Sequence, residues 1–116
     1  MKNNIARQRM SVADLFAALA SNEDFVFAVA YTNSFKKNVK LCYKQNLDLN
    51  ELYKVIATLA KKETLSEKNH VHRLIGYGKE KCMECHINPD WILIWVQKDD
   101  EMILVLTNTG THSNMF

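Results

Sequence analysis

The sequence predicts an α+β domain: helices first, then an antiparallel meander, with one sheet packed against two helices. Two observations carry that expectation. Residues 34–62 show helical spacing of apolar positions twice over, and residues 82–109 hold three closely spaced β-rich runs divided by turn signals. A third observation bounds it, since 116 residues with one proline and three glycines make a single domain with one modest core.

Taken in order, residues 1–24 read as an added N-terminal segment and residues 25–116 as the main domain. Within the first segment Val12, Leu15, Phe16 and Leu19 lie at helical spacing, with Ser11 as a candidate N-cap. Residues 25–32 read as a strand, with Phe25, Phe27, Val29 and Tyr31 on one face and Val26, Ala28 and Ala30 on the other. Both faces are apolar, so this strand is expected to be well covered. Residues 34–45 read as a helix with Phe35, Val39 and Cys42 inward. Asp48 and Glu51 form an acidic variant of a capping box, in which Asp48 accepts from the Glu51 amide. The helix that follows runs to about residue 62, with Leu52, Val55, Ile56, Leu59 and Ala60 as its apolar stripe. Residues 63–79 are polar and read as irregular. Strands are then expected over 82–87, 91–98 and 102–109, with turns at Asn88-Pro89 and Asp99-Asp100. Their close succession makes them antiparallel.

Composition excludes several classes. No window is apolar enough to cross a bilayer, so no membrane partner is expected. The run before Ala18-Leu19-Ala20 is short and Asp14 interrupts it, which reads against a secretory leader. Three cysteines do not make a disulfide framework and fit a reducing cytoplasm. The net charge is only +2, so any polyanion partner must be met by local clusters. Lys36, Lys40 and Lys44 form one helical stripe, beside Lys37; it reads as a solvated face or as a phosphate-contacting edge. Lys79 and Lys81 make a second cluster.

The chemistry lies in the last third. Cys82-Met83-Glu84-Cys85-His86 matches the attachment pattern for c-type haem, but here it leads into a strand, a turn and a strand. A zinc site would need His70, His72 or His112 at no standard spacing. Cys85 reads as a core thiol, and no metal or cofactor is expected. His86 and Asp90 flank the Asn88-Pro89 turn, and His72 and His112 can reach the same rim. Histidine gives and takes protons near neutral pH, as RNA cleavage requires. Trp91 reads either as a core anchor or as a stacking platform for a base. Trp95 and residues 92–94 read as core.

These motifs resemble the YafQ branch of the RelE superfamily, mRNA-cleaving toxins of bacterial toxin–antitoxin pairs. His72-Arg73-Leu74-Ile75-Gly76 stands for the family's His-Pro-Leu-x-Gly. Met83-Glu84-Cys85-His86-Ile87-Asn88-Pro89-Asp90-Trp91 stands for Arg-Glu-x-His-x-x-Pro-Asp-Trp. Residues 108–116, with Gly110-Thr111-His112 and Phe116, stand for the terminal Arg-x-Gly-Thr-His-x-x-x-Phe. The resemblance covers residues 27–116. It implies a RelE-like fold and a catalytic set of His72, His86, Asp90 and His112, with Trp91, Phe116, Arg73, Lys79 and Lys81 toward RNA. Asn108 stands where the family has an arginine, Met83 where it has another, and the stretch from Gly76 to His86 is one residue longer.

The resemblance also implies the reaction: metal-independent cleavage of mRNA in the ribosomal A site. A base takes a proton from the 2′-hydroxyl, which attacks phosphorus, and an acid protonates the departing 5′-oxygen. His112 is the expected acid; His86 or Asp90 is the base, or Asp90 orients a histidine. Losing the family arginine removes a cation that would offset charge on the pentavalent phosphate, at a cost of ~10²–10³ in rate unless Arg73, Lys79 or Lys81 substitutes. The implied partners are the ribosome and mRNA, and a DinJ-like ribbon–helix–helix antitoxin through which alone operator DNA would be touched.

Overall fold

A computed structural model describes residues 9–76 and 81–115. It holds five strands in one sheet: β1 (Ala28–Tyr31), β2 (His72–Leu74), β3 (Cys82–Asn88), β4 (Trp91–Lys98) and β5 (Ile103–Thr111), in the order β1-β5-β4-β3-β2. Helices α1 (Val12–Ala20), α2 (Asn33–Lys44), α3 (Leu49–Ala60) and the short α4 (His112–Met115) complete it. β3, β4 and β5 form the expected antiparallel meander.

The early strand differs from expectation in two ways. It pairs parallel with β5, Ala28 opposite Ile103, so the sheet is mixed. It is also shorter and largely exposed, because β1 is an edge strand with one neighbour. Phe25 packs beside the core and Phe27 is buried, while their backbones serve another element: the amides of Val26 and Phe27 both donate to the Ala60 carbonyl at the end of α3. A second difference is β2, which the polar stretch concealed. Its three residues pair with β3, placing His72 opposite Glu84.

Alternation along β4 divides the interior. Trp91, Leu93 and Trp95 join Leu104 and Leu106 beneath α2 and α3, with Phe35, Val39, Leu52 and Ile56 from the helices. Ile92, Ile94 and Val96 face the other way and meet Cys82, Leu74, Val105 and Met115. Cys82 and Cys85 therefore lie in different clusters, as an odd spacing along a strand dictates, and cannot share a haem or a metal. Burial pushes the Cys42 thiol up to about 11 and the Cys85 thiol up to about 12. Both are core thiols.

Caps fix the helices. Ser11 accepts from the Asp14 amide and Asp14 answers from its carboxylate, a full capping box at α1. At α3 the Asp48 side chain accepts from Asn50, not Glu51 as expected; the Glu51 amide goes to the Asp48 carbonyl. α1 is docked. Leu15 and Leu19 are buried, Phe16 lies 4.7 Å from the Tyr31 ring and edge-on to Phe35, and Asn22 Nδ2 donates to the Tyr53 hydroxyl. No described helix is long and apolar enough to cross a membrane.

Candidate catalytic rim

The turn end of the β3–β4 hairpin collects His86 and His112. A bulge between His86 and Asn88 bends β3 as it enters the turn. Asn88 Oδ1 accepts the Asp90 amide, a side-chain turn that fixes the reversal. The Asp90 carbonyl in turn accepts the His112 amide at 3.2 Å, tying the start of α4 to the hairpin. The His86 and His112 rings then stack, centroids 5.7 Å apart at 25°. Asp90 is exposed beside them.

His72 enters from the edge. Its Nε2 lies 2.8 Å from Glu84 Oε1, and its Nδ1 lies 3.2 Å from the Arg73 carbonyl. Both ring nitrogens thus face oxygen acceptors, and Glu84, only 5% exposed, is the anchor. His70 sits on the other side of His86, ring edge to face at 5.8 Å. It occupies left-handed backbone, φ 48, after the short 3₁₀ turn Glu67–Asn69. Asn69 holds that turn in place by donating to the His86 carbonyl at 2.7 Å.

The structure therefore brings together His72, His86 and His112, with Asp90 alongside. It does not support every expected RNA contact. Trp91 is fully buried and its indole N–H donates to Thr109 Oγ1 at 3.0 Å, so the ring is a core anchor and offers no face to a base. Arg73 stands opposite Met83 in the register, on the face away from His72, and Lys81 lines a cavity on the helix side of the sheet. Lys79 and Phe116 lie outside the described residues. Asn108 is held: its Oδ1 accepts from Asn38 Nδ2 at 2.6 Å and from the Thr109 amide at 2.9 Å.

Two members of the rim escaped sequence reasoning. Glu84 shares a strand face with His86, an alternation visible in the sequence. His70 carries no such signal, because an irregular turn positions it. The chain after β5 also differs from expectation. Gly110 stays inside the strand, opposite Ile92, and its missing side chain makes room for Met115; a Cβ there would lie 3.2 Å from the Met115 Cγ and Sδ. Met115 pins the α4 turn.

Chemically the rim offers two stacked imidazoles, the exposed Asp90 at the adjoining turn, and a third imidazole braced by Glu84. His72, Glu84 and His86 also bring ligand atoms within 4.8 Å of one another, so this corner can chelate a transition-metal ion through two imidazoles and a carboxylate.

A small α+β domain that gathers several histidines at one end of its sheet offers acid–base groups in one place. Residues 27–116 match the family model described as the bacterial toxin of type II toxin–antitoxin systems, YafQ. The chain is 35% identical over 92 residues to the mRNA interferase toxin YafQ of Escherichia coli strain B, covering 76% of this chain and 94% of that protein. Among solved structures it resembles the E. coli DinJ–YafQ toxin–antitoxin complex, with TM-score 0.70 and 32% identity over 78% of this chain and 98% of that one. It is equally similar to a metal-bound toxin from Helicobacter pylori, with TM-score 0.70 and 36% identity over 76% and 97% of the two chains. This chain belongs to the YafQ toxin family.

Proposed function

We propose that this chain is a ribosome-dependent endoribonuclease that cleaves mRNA in the ribosomal A site, the toxin of a type II pair. The observation that carries the reading is the His86–His112 stack beside Asp90. In-line attack places nucleophile and leaving group on opposite sides of phosphorus, so base and acid must be separate groups. His112 protonates the 5′-oxygen. His86 accepts the 2′-hydroxyl proton, or Asp90 does so while orienting His86. His72, gripped by Glu84, positions its neighbours or the phosphate. None of these steps needs a metal. The partner is a DinJ-like ribbon–helix–helix antitoxin, through which operator DNA is reached, and the cytoplasm is where ribosomes and antitoxin meet the toxin.

Induced expression of the wild-type chain should arrest growth and cut mRNA within codons, leaving a 2′,3′-cyclic phosphate and a 5′-hydroxyl. Intact mRNA on ribosomes that bind the protein normally would sink the catalytic claim.

The pair of hydrogen bonds that lock Asn108 favours a second reading, a catalytically weakened toxin that works as an antitoxin- or ribosome-binding module. Asn108→Arg separates the two: a strong rise in cleavage means the natural chain is impaired.

A further inference from the structure

A cavity of about 630 Å³ opens between the end of α3, residues 63–71 and the helix side of β3 and β4. It lies within the ~300–1,000 Å³ range of built ligand pockets. Leu59, Leu65, Met83 and Trp95 give it an apolar floor. Trp95 is 2% exposed, and its indole N–H is a buried side-chain donor with no hydrogen-bond partner. Such groups are rare in folded proteins because each costs about 1–3 kcal/mol. Trp91, four residues back on the same face, is fully paired to Thr109. The unserved donor belongs to a residue that lines the cavity, and an occupant's oxygen brought against that residue would serve it.

The rim says what kind. Among the described lining residues Glu63, Glu67 and Asp99 outnumber Lys81, so a phosphate backbone would be repelled and a cationic segment drawn in. The helical side elsewhere is already covered. Helix α1 lies outside the family match, which begins at residue 27, and it buries Leu15 and Leu19 against α2 and α3.

We infer that this cavity receives an apolar anchor residue of the antitoxin, flanked by arginine or lysine, whose backbone or side-chain carbonyl accepts from Trp95 Nε1. The inference rests on the antitoxin reading above. Its occupant would lie one ring away from the catalytic pair, because His70 lines the cavity and also packs on His86.

The test uses the full ¹⁵N-labelled chain and a DinJ-like ribbon–helix–helix antitoxin. The sequence has two tryptophans, so two indole N–H resonances report separately. Complex formation should shift the Trp95 resonance and slow its exchange with solvent while leaving Trp91 in place. The double variant Glu63→Lys/Glu67→Lys should weaken the complex tenfold or more and leave mRNA cleavage by the free toxin unchanged. Trp95→Phe should weaken it by a similar factor. If Trp95→Phe does not fold, the surface pair still decides. A complex that forms with the Trp95 signal unchanged, or with full affinity for the acidic-rim variant, leaves the cavity to solvent and overturns the inference. Failure to form any complex would overturn the antitoxin reading itself.

Discussion

The two terminal helices of the described chain are opposites. α1 buries two leucines in the core, closes a full capping box and packs Phe16 at a tilt against Tyr31. α4 exposes His112, Ser113 and Asn114 and buries little beyond half of Met115. The first is a cost-free addition to stability: its polar groups are capped and its apolar face is hidden. The second holds an imidazole at the surface, and is kept in place by Met115 over Gly110, a backbone hydrogen bond to Asp90, and side-chain hydrogen bonds from Asn114 to Gln45 and between Thr111 and Ser113. A short terminal helix can therefore belong to the core or to the chemistry, and burial of its side chains tells which.

Substitutions in the two helices should dissociate. The largest effect is expected from His112→Ala, which should lower mRNA cleavage by ~10²–10⁴ while thermal unfolding stays within a degree or two. Quantitative primer extension on ribosome-bound mRNA, beside calorimetry, reads both. Leu15→Ala should do the reverse. It should remove about 2–5 kcal/mol of stability in urea unfolding, with cleavage by the folded fraction unchanged. A catalytic loss in the folded Leu15→Ala protein would erase the contrast between the termini.

Three further changes sharpen it from outside the helices. Asn108→Arg, beside Asn38, should raise the cleavage rate by about 10²-fold if a cation is missing from the site. An unchanged rate would assign that charge to another residue. Glu84→Gln keeps the shape of the anchor but removes its charge from His72, and should cost about tenfold in kcat with ribosome affinity intact. The smallest effect concerns the core thiols. Burial holds Cys42 and Cys85 neutral up to about 11 and 12, whereas their unfolded values are 9.0. Below pH 9 both states carry thiols, so stability is fully present. Above it the unfolded chain ionises first, and stability should fall between pH 9 and 12. Cys→Ser variants at both positions, followed by Tm against pH, should flatten that fall.

The sequence made the sheet's meander and both long helices plain because each carries an unbroken apolar period and a clear boundary signal. Strands β3 and β4 lie within a residue of expectation, and β5 runs two residues further, since Thr111 still pairs with Trp91. The parallel pairing of β1 was hidden because no local signal sets which strand a lone edge segment will join. β2 was hidden by brevity: three residues, two of them polar, carry no period. The meeting of His86 and His112 beside the hairpin turn was legible through motif spacing. Trp91 was ambiguous because an aromatic next to a turn serves either a core or a base, and only its hydrogen bond to Thr109 decides. Glu84 was passed over in favour of the flanking cysteines, and His70 depends on a left-handed turn that no residue pattern announces.

The position of β5 between β1 and β4 bears on the order in which the molecule comes into being. β1 emerges early in synthesis, but its partner lies some seventy residues later, Ala28 opposite Ile103. Until β5 arrives, β1 has no neighbour, β4 has one free edge, and His112 does not yet exist beside His86. A ribosome translating this chain therefore carries a nascent product without a complete sheet or the His86–His112 stack, and non-local pairing of this kind forms slowly in general. The His86–His112 stack forms last, with the strand that also completes the sheet.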